Sequence, residues 1–164
     1  MKKQLFAAIG LLLIVACGSP SKPAGTDQQA SSSAAPSASK KFILKASNSK
    51  YVVIATDMTL AAAEPIPTKA TVFEKVDMGN GHVALKASNG KFVSDDRSKS
   101  STLYANRDQN GEWETFEVIA MDETRVHIKS SAGMFVCSDR SMEGKLVANR
   151  ATAGDWETFE MQEQ

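Results

Sequence analysis

The sequence predicts an all-β domain made of three copies of one four-stranded unit, and three observations carry that prediction. Residues 85–118 recur as residues 128–161 without a gap, with more than half of the aligned positions identical. A fixed period of about 40 residues marks one supersecondary unit used repeatedly, each copy unable to bury its apolar face alone. The apolar segments also alternate with a period of two, as in Val83-Ala84-Leu85-Lys86-Ala87 and Val126-His127-Ile128-Lys129-Ser130, which is the pattern of half-buried strands. Finally, Asn89-Gly90, Ala132-Gly133 and Asn110-Gly111 punctuate these segments as turns. After residue 41 no stretch holds a helical period beyond about two turns; the Ala61–Ala63 run is stopped by Pro65 and Pro67.

Taken in order, residues 1–16 read as an export signal. Lys2 and Lys3 give the positive start, and Leu5 to Val15 give an apolar core too short to span a bilayer. That core ends in Ile14-Val15-Ala16-Cys17-Gly18, which resembles the lipobox of bacterial lipoproteins. The resemblance implies cleavage before Cys17, lipid transfer to its thiol, and a membrane partner for the acylated residue. Several acyl chains on one residue hold far more firmly than a single chain does. Residues 17–40 form the lipidated cysteine and a tether of Ser, Ala, Pro, Gly, Lys, Thr, Asp and Gln. From Gly18 to Ser39 there is no aromatic or branched aliphatic residue, so the segment is expected to be disordered, with a span on the order of 25 Å. No Asp follows the cysteine as a retention signal, so the expected address in a Gram-negative host is the outer membrane.

Residues 41–164 hold the three repeats, at about 42–81, 82–124 and 125–164. The first is the weakest. Leu44 to Val52 aligns with the segment from Leu85 at an offset of 41, and Phe73 aligns with Phe116 at an offset of 43, so the length change falls in a connection between them. Each unit reads as a strand, a turn, a short returning strand, a polar connection, a third strand, a second turn and a fourth strand; in the second unit Trp113 begins that fourth strand. Twelve short strands need closure to protect their edges. A β-trefoil, a six-stranded barrel capped by three hairpins around a pseudo-threefold axis, meets these counts. A propeller of four-stranded blades has a similar repeat, but usually at least four blades.

The runs Ala84 to Val93, Leu103 to Arg107 and Gly111 to Glu117, repeated as Ile128 to Val136, Leu146 to Arg150 and Gly154 to Glu160, resemble a fascin-type β-trefoil repeat. The resemblance covers essentially the whole domain and implies that fold. It speaks less to activity, since related trefoils cross-link actin in animals and accompany bacterial polysaccharide-degrading enzymes. The first copy departs from it, having Ala70 where the others have Trp113 and Trp156, which weakens any role needing three equal sites.

No catalytic constellation emerges, and neither a cofactor nor a metal is expected. His82 and His127 are the only histidines, one at a turn and one facing outward. No Cys and His pair has metal-ligand spacing, and neither a phosphate loop nor a Gly-x-Ser-x-Gly elbow is present. With Cys17 lipidated, Cys137 stands alone as a small strand residue. Net charge is zero over the whole chain; removing Lys2 and Lys3 leaves 17 basic against 19 acidic residues, a net of −2. That balance argues against nucleic acid as a partner.

The repeated polar residues are Asp96-Arg97 and Asp139-Arg140, Asn106-Arg107 and Asn149-Arg150, and Glu114 and Glu157. Identity between copies suits one structural task performed twice, such as a carboxylate pairing with an arginine of its own unit. Trp113 and Trp156 suit either barrel-capping packing or stacking against a sugar. Tyr104, outward by alternation, is replaced by Val147 in the sister copy. Tyr104, Trp113, Trp156, Asn106, Arg107, Asn149 and Arg150 are therefore the ligand-binding candidates. Met58 to Pro67 is expected to be the most unusual surface loop. The sequence thus reads as a bacterial envelope lipoprotein carrying a non-catalytic, carbohydrate-binding trefoil; the alternative is protein recognition, as an adhesin or scaffold module. Leu60 and Ile66 would serve that alternative.

Overall fold

The structure, a computed structural model, describes residues 40–164; the signal, Cys17 and the tether up to Ser39 lie outside the described residues. Three units of four strands follow one another. The first comprises β1 (Lys41–Ala46), β2 (Tyr51–Ile54), β3 (Leu60–Glu64) and β4 (Phe73–Gly79). The second comprises β5 (His82–Ala87), β6 (Phe92–Asp96), β7 (Thr102–Arg107) and β8 (Thr115–Ala120). The third comprises β9 (Arg125–Ser130), β10 (Phe135–Asp139), β11 (Lys145–Arg150) and β12 (Thr158–Glu163). The remaining regular elements are short 3-10 turns, so the chain is all-β over the described residues.

Strand pairing closes on itself. The first and fourth strands of each unit pair as β1–β4, β5–β8 and β9–β12. Successive units are joined by β4–β5 and β8–β9, and β1 pairs with β12 from Phe42↔Glu163 to Ala46↔Phe159. These six strands form a ring without a free edge, which removes the template that an open sheet offers to other chains. The second and third strands of each unit form the hairpins β2–β3, β6–β7 and β10–β11. Each carries a register shift at its start, between Tyr51 and Val52, Phe92 and Val93, and Phe135 and Val136. Such bulges bend a strand and sharpen its twist, here at the point where each hairpin leaves the barrel. The hairpins touch one another through β3–β11, β7–β11 and the bridge Thr59↔Tyr104.

The core is filled in threefold sets, because the same alternation is used three times. Leu44, Leu85 and Ile128 are buried, as are Val52, Val93 and Val136, then Leu60, Leu103 and Leu146, and finally Phe73, Phe116 and Phe159. Phe42 is the exception to the rotation; its ring stacks on Phe73 at 5.8 Å between centroids. Outside the barrel, Lys45, Lys86 and Lys129 lie over the rings of Tyr51, Phe92 and Phe135 at 5.9, 5.8 and 5.4 Å, a cation–π contact repeated in every unit.

Two local expectations change. Trp113 and Trp156 do not begin strands; each sits in a 3-10 turn, Glu112–Glu114 or Asp155–Glu157, and the strand starts after it. The cause is a carboxylate reaching backward: Gly111 N–H donates to Glu114 Oε2 at 2.9 Å and Gly154 N–H to Glu157 Oε2 at 2.8 Å. Met58 to Pro67 is not a surface loop either. Leu60, Ala61 and Ala62 are buried in β3, leaving Met58 and Ile66 exposed. The length difference between repeats lies in the β2–β3 connection, where Asp57 Oδ1 accepts from Thr59 N–H at 3.0 Å in place of the 3-10 turn found in the other copies.

Candidate functional site

The repeated polar residues first build two internal clamps. Asp96 and Asp139 cap the 3-10 turns Arg97–Lys99 and Arg140–Met142, accepting from Ser98 N–H at 3.2 Å and Ser141 N–H at 2.9 Å. Arg107 then spans Asp96 and Glu114 at 3.6 and 3.7 Å, and Arg150 spans Asp139 and Glu157 at 3.4 and 3.7 Å. All four carboxylates are buried. Removing either arginine would leave two of them facing each other in a poorly solvated place. Asn106 and Asn149 are exposed on β7 and β11; Asn149 Oδ1 lies 3.8 Å from the Cys137 sulfur. Cys137 itself is fully buried, and burial pushes its thiol pKa up, which keeps it protonated. Tyr104 is half-buried beneath Lys99, whose Nζ is 4.6 Å from the ring centre.

Asp139 is held below the ordinary carboxylate value chiefly by the Ser141 hydroxyl, and Asp57 chiefly by the Thr59 hydroxyl. Asp122 is held at about 2, first by the backbone N–H of Arg125. A carboxylate with a lowered folded pKa stabilises the protein above its unfolded value and loses that contribution as pH falls through its folded one. The urea midpoint is therefore expected to be level from about pH 7 to 5 and to drop below about pH 4. Asp139→Asn should make the acid limb shallower, which urea titrations at several pH values would check.

The two tryptophans belong to a second repeated device. Each is half-buried with an arginine from the neighbouring turn stacked on it, Arg97 on Trp113 at 6.0 Å and Arg140 on Trp156 at 5.5 Å. Each arginine reaches across a seam to a serine of the next repeat, at equivalent places in the first turn. Arg97 Nη2 donates to Ser131 Oγ at 2.6 Å, and Arg140 Nη2 to Ser47 Oγ at 3.2 Å. Ser88 is the third of these serines, and the first repeat sends it no arginine.

The seams differ in how open they are. Between repeats two and three, Arg97 is tied to Glu112 Oε1 at 2.9 Å as well as to Ser131, and Ser131 Oγ donates to the Glu112 carbonyl at 2.6 Å. Between repeats three and one lies a cleft of about 630 Å³. Lys45, Ser47 and Ser49 of the first repeat face Arg125, His127, Arg140, Asp155, Thr158 and Glu160 of the third across it. His127 Nε2 is 3.2 Å from Thr158 Oγ1, and Lys45 pairs with Glu160 at 3.5 Å. Arg140 also lines an adjoining cleft of about 740 Å³ with Asn48, Asp57 and Lys145. The donors and acceptors here suit a polar, hydroxyl-rich ligand. Among the described residues no group of three or more His, Cys, Asp or Glu is placed to hold a metal.

Of the seven candidates drawn from the sequence, the structure brings Arg107 and Arg150 into the clamps and sets Trp113 and Trp156 beneath arginines. None of the seven lines the cleft between repeats three and one; Arg140, which does, stacks on Trp156. The cleft could not be found from one repeat, because it joins β1 to β12 from opposite ends of the domain.

A six-strand ring capped by three hairpins in threefold order defines a β-trefoil. The chain matches the description "FRG1-like domain" over residues 61–164 and belongs to that β-trefoil family. The match starts inside the first repeat, the copy that departs most from the other two. Among solved structures, the chain is similar to the designed threefold-symmetric protein ThreeFoil, with TM-score 0.65, 12% identity, and coverage of 76% of this chain and 99% of that one. It is also similar to a GlcNAcα1-4Gal-releasing endo-β-galactosidase from Clostridium perfringens, with TM-score 0.62, 11% identity, and coverage of 76% of this chain and 32% of that one. At these identities the likeness concerns the fold. No curated protein matches the chain.

Proposed function

We propose that the protein is a bacterial envelope lipoprotein, anchored through Cys17, whose trefoil binds carbohydrate without catalysis. The observation that carries the binding reading is the cleft between repeats three and one, where hydroxyl and charged groups converge beside an arginine stacked on Trp156. A sugar presents many hydroxyls, and the Ser47, Ser49, Arg140, Asp155 and Thr158 side chains lining this cleft offer hydrogen-bond partners for them. The endo-β-galactosidase among the similar structures acts on a galactoside and shares the fold over part of its length, which fits the reading by analogy. The anchor rests on the Ile14 to Gly18 sequence, and its address in a Gram-negative host is the outer membrane. Neither cofactor nor nucleic acid enters this function.

The test is a glycan array probed with the chain from Gly18 onward, paired with fractionation of cells making the full chain and its Cys17→Ser variant. Binding to at least one oligosaccharide class, and loss of the variant from the membrane fraction, are expected. An array without signal above background would sink the carbohydrate reading in favour of protein recognition. Retention of the Cys17→Ser variant would remove the anchor.

A further inference from the structure

We infer that the cleft between repeats three and one recognises an acidic sugar, whose carboxylate is taken by Arg140. The inference rests on the carbohydrate reading above and comes from comparing one arginine in two copies of the same surroundings. In repeat two, Arg97 stacks on Trp113 and hydrogen-bonds within the chain to Glu112 at 2.9 Å and Ser131 at 2.6 Å, with the buried Asp95 carboxylate 3.7 Å from its Nε as an ion pair without a hydrogen bond. In repeat three, Arg140 stacks on Trp156 in the same way, but Ser138 stands in place of Asp95 and Asp155 in place of Glu112. Asp155 is one methylene shorter and makes no ion pair with Arg140, whose remaining partner is Ser47 at 3.2 Å. Arg97 is half-buried and Arg140 is exposed.

Repeat two therefore displays what this arginine binds: a carboxylate with a hydroxyl close beside it. A uronic acid residue presents that pair on one ring. The other cations of the cleft are already engaged, Lys45 with Glu160 at 3.5 Å and Arg125 with Asp122 at 2.6 Å. Arg140 is left as the free fork, and stacking on Trp156 holds its planar guanidinium ready for two-point contact with a carboxylate. Asp155 lies exposed in the same cleft, where water and salt screen its repulsion of an anionic ligand. The pseudo-symmetry does not triple the site. The seam between repeats two and three is filled by Glu112, and the first repeat has neither the arginine nor the tryptophan. One ligand per chain is the result.

The test is titration calorimetry of the chain from Gly18 onward with hexagalacturonate, a hyaluronan hexasaccharide and neutral maltohexaose, with hexaglutamate as an acidic peptide. At least one acidic oligosaccharide should bind one per chain, at least tenfold more tightly than maltohexaose and more weakly as salt rises. Arg140→Gln should lose at least tenfold. Asp155→Glu keeps the charge and rebuilds the Glu112–Arg97 pair of repeat two; it should weaken acidic-sugar binding similarly, which loss of folding would not mimic if the urea midpoint is kept. Equal binding of neutral and acidic sugars, or both variants binding like the parent, would overturn the role of Arg140 while leaving carbohydrate binding standing. Preference for hexaglutamate, or no oligosaccharide binding at all, would overturn both.

Discussion

Phe159→Ala is expected to destabilise the protein by about 3–5 kcal/mol, read as a shift of the urea midpoint at constant slope. Phe159 is fully buried in β12, the strand that closes the ring, and its backbone registers with Ala46 on one side and Val126 on the other. Phe73 and Phe116 occupy the matching places in the first two units. Truncation would open a cavity where strands of the first and last repeats meet, and a closed barrel has little freedom to collapse into it. Met161 lies two residues further along the same strand and is half-buried. Its alanine variant should cost well under half as much; comparable costs would mean that the core is not organised around the aromatic triplet.

Gly144→Ala is the second large effect, at roughly 2–4 kcal/mol. Gly144 has φ +81°, which alone disfavours a side chain, and a Cβ there would stand 2.6 Å from the Ala62 carbonyl oxygen. The close approach exists because Ala62 N–H donates to the Gly144 carbonyl at 2.8 Å, stitching the hairpin of repeat three to that of repeat one. Asn48 Nδ2 donates to the same Ala62 carbonyl at 3.0 Å, so that oxygen has little room to withdraw. Gly133 is the natural comparison, with φ +79° and nothing within 4 Å of an added Cβ. Gly133→Ala should show the backbone cost alone, about 1 kcal/mol, and the difference between the variants measures the clash. Equal midpoints would show that the hairpins can part without loss.

The trefoil was legible because its physics is written three times. Leu44, Leu85 and Ile128 repeat one inward position, and Phe73, Phe116 and Phe159 another, so alternation and period together specify strands, closure and core. Local chemistry overruled the pattern in particular places. The backward reach of Glu114 and Glu157 makes turns of segments whose composition suits strands. Ala61 and Ala62 look like loop residues beside two prolines, yet their small side chains let β3 pack against β2 and β11. The cleft was the least legible feature, since it depends on residues of the first and last repeats meeting across the closing seam. Its signal lay in what changes between copies, Glu112 to Asp155 and Asp95 to Ser138, rather than in the shared Arg107 and Arg150, which serve the clamps.

The pairing of β1 with β12 also dictates when the molecule can become itself. Without β12 in place, β1 and β9 each keep an unpaired flank. Ring closure must wait for β12 to join strands more than a hundred residues apart, and until then the chain is open to chaperones or to mispairing with its neighbours.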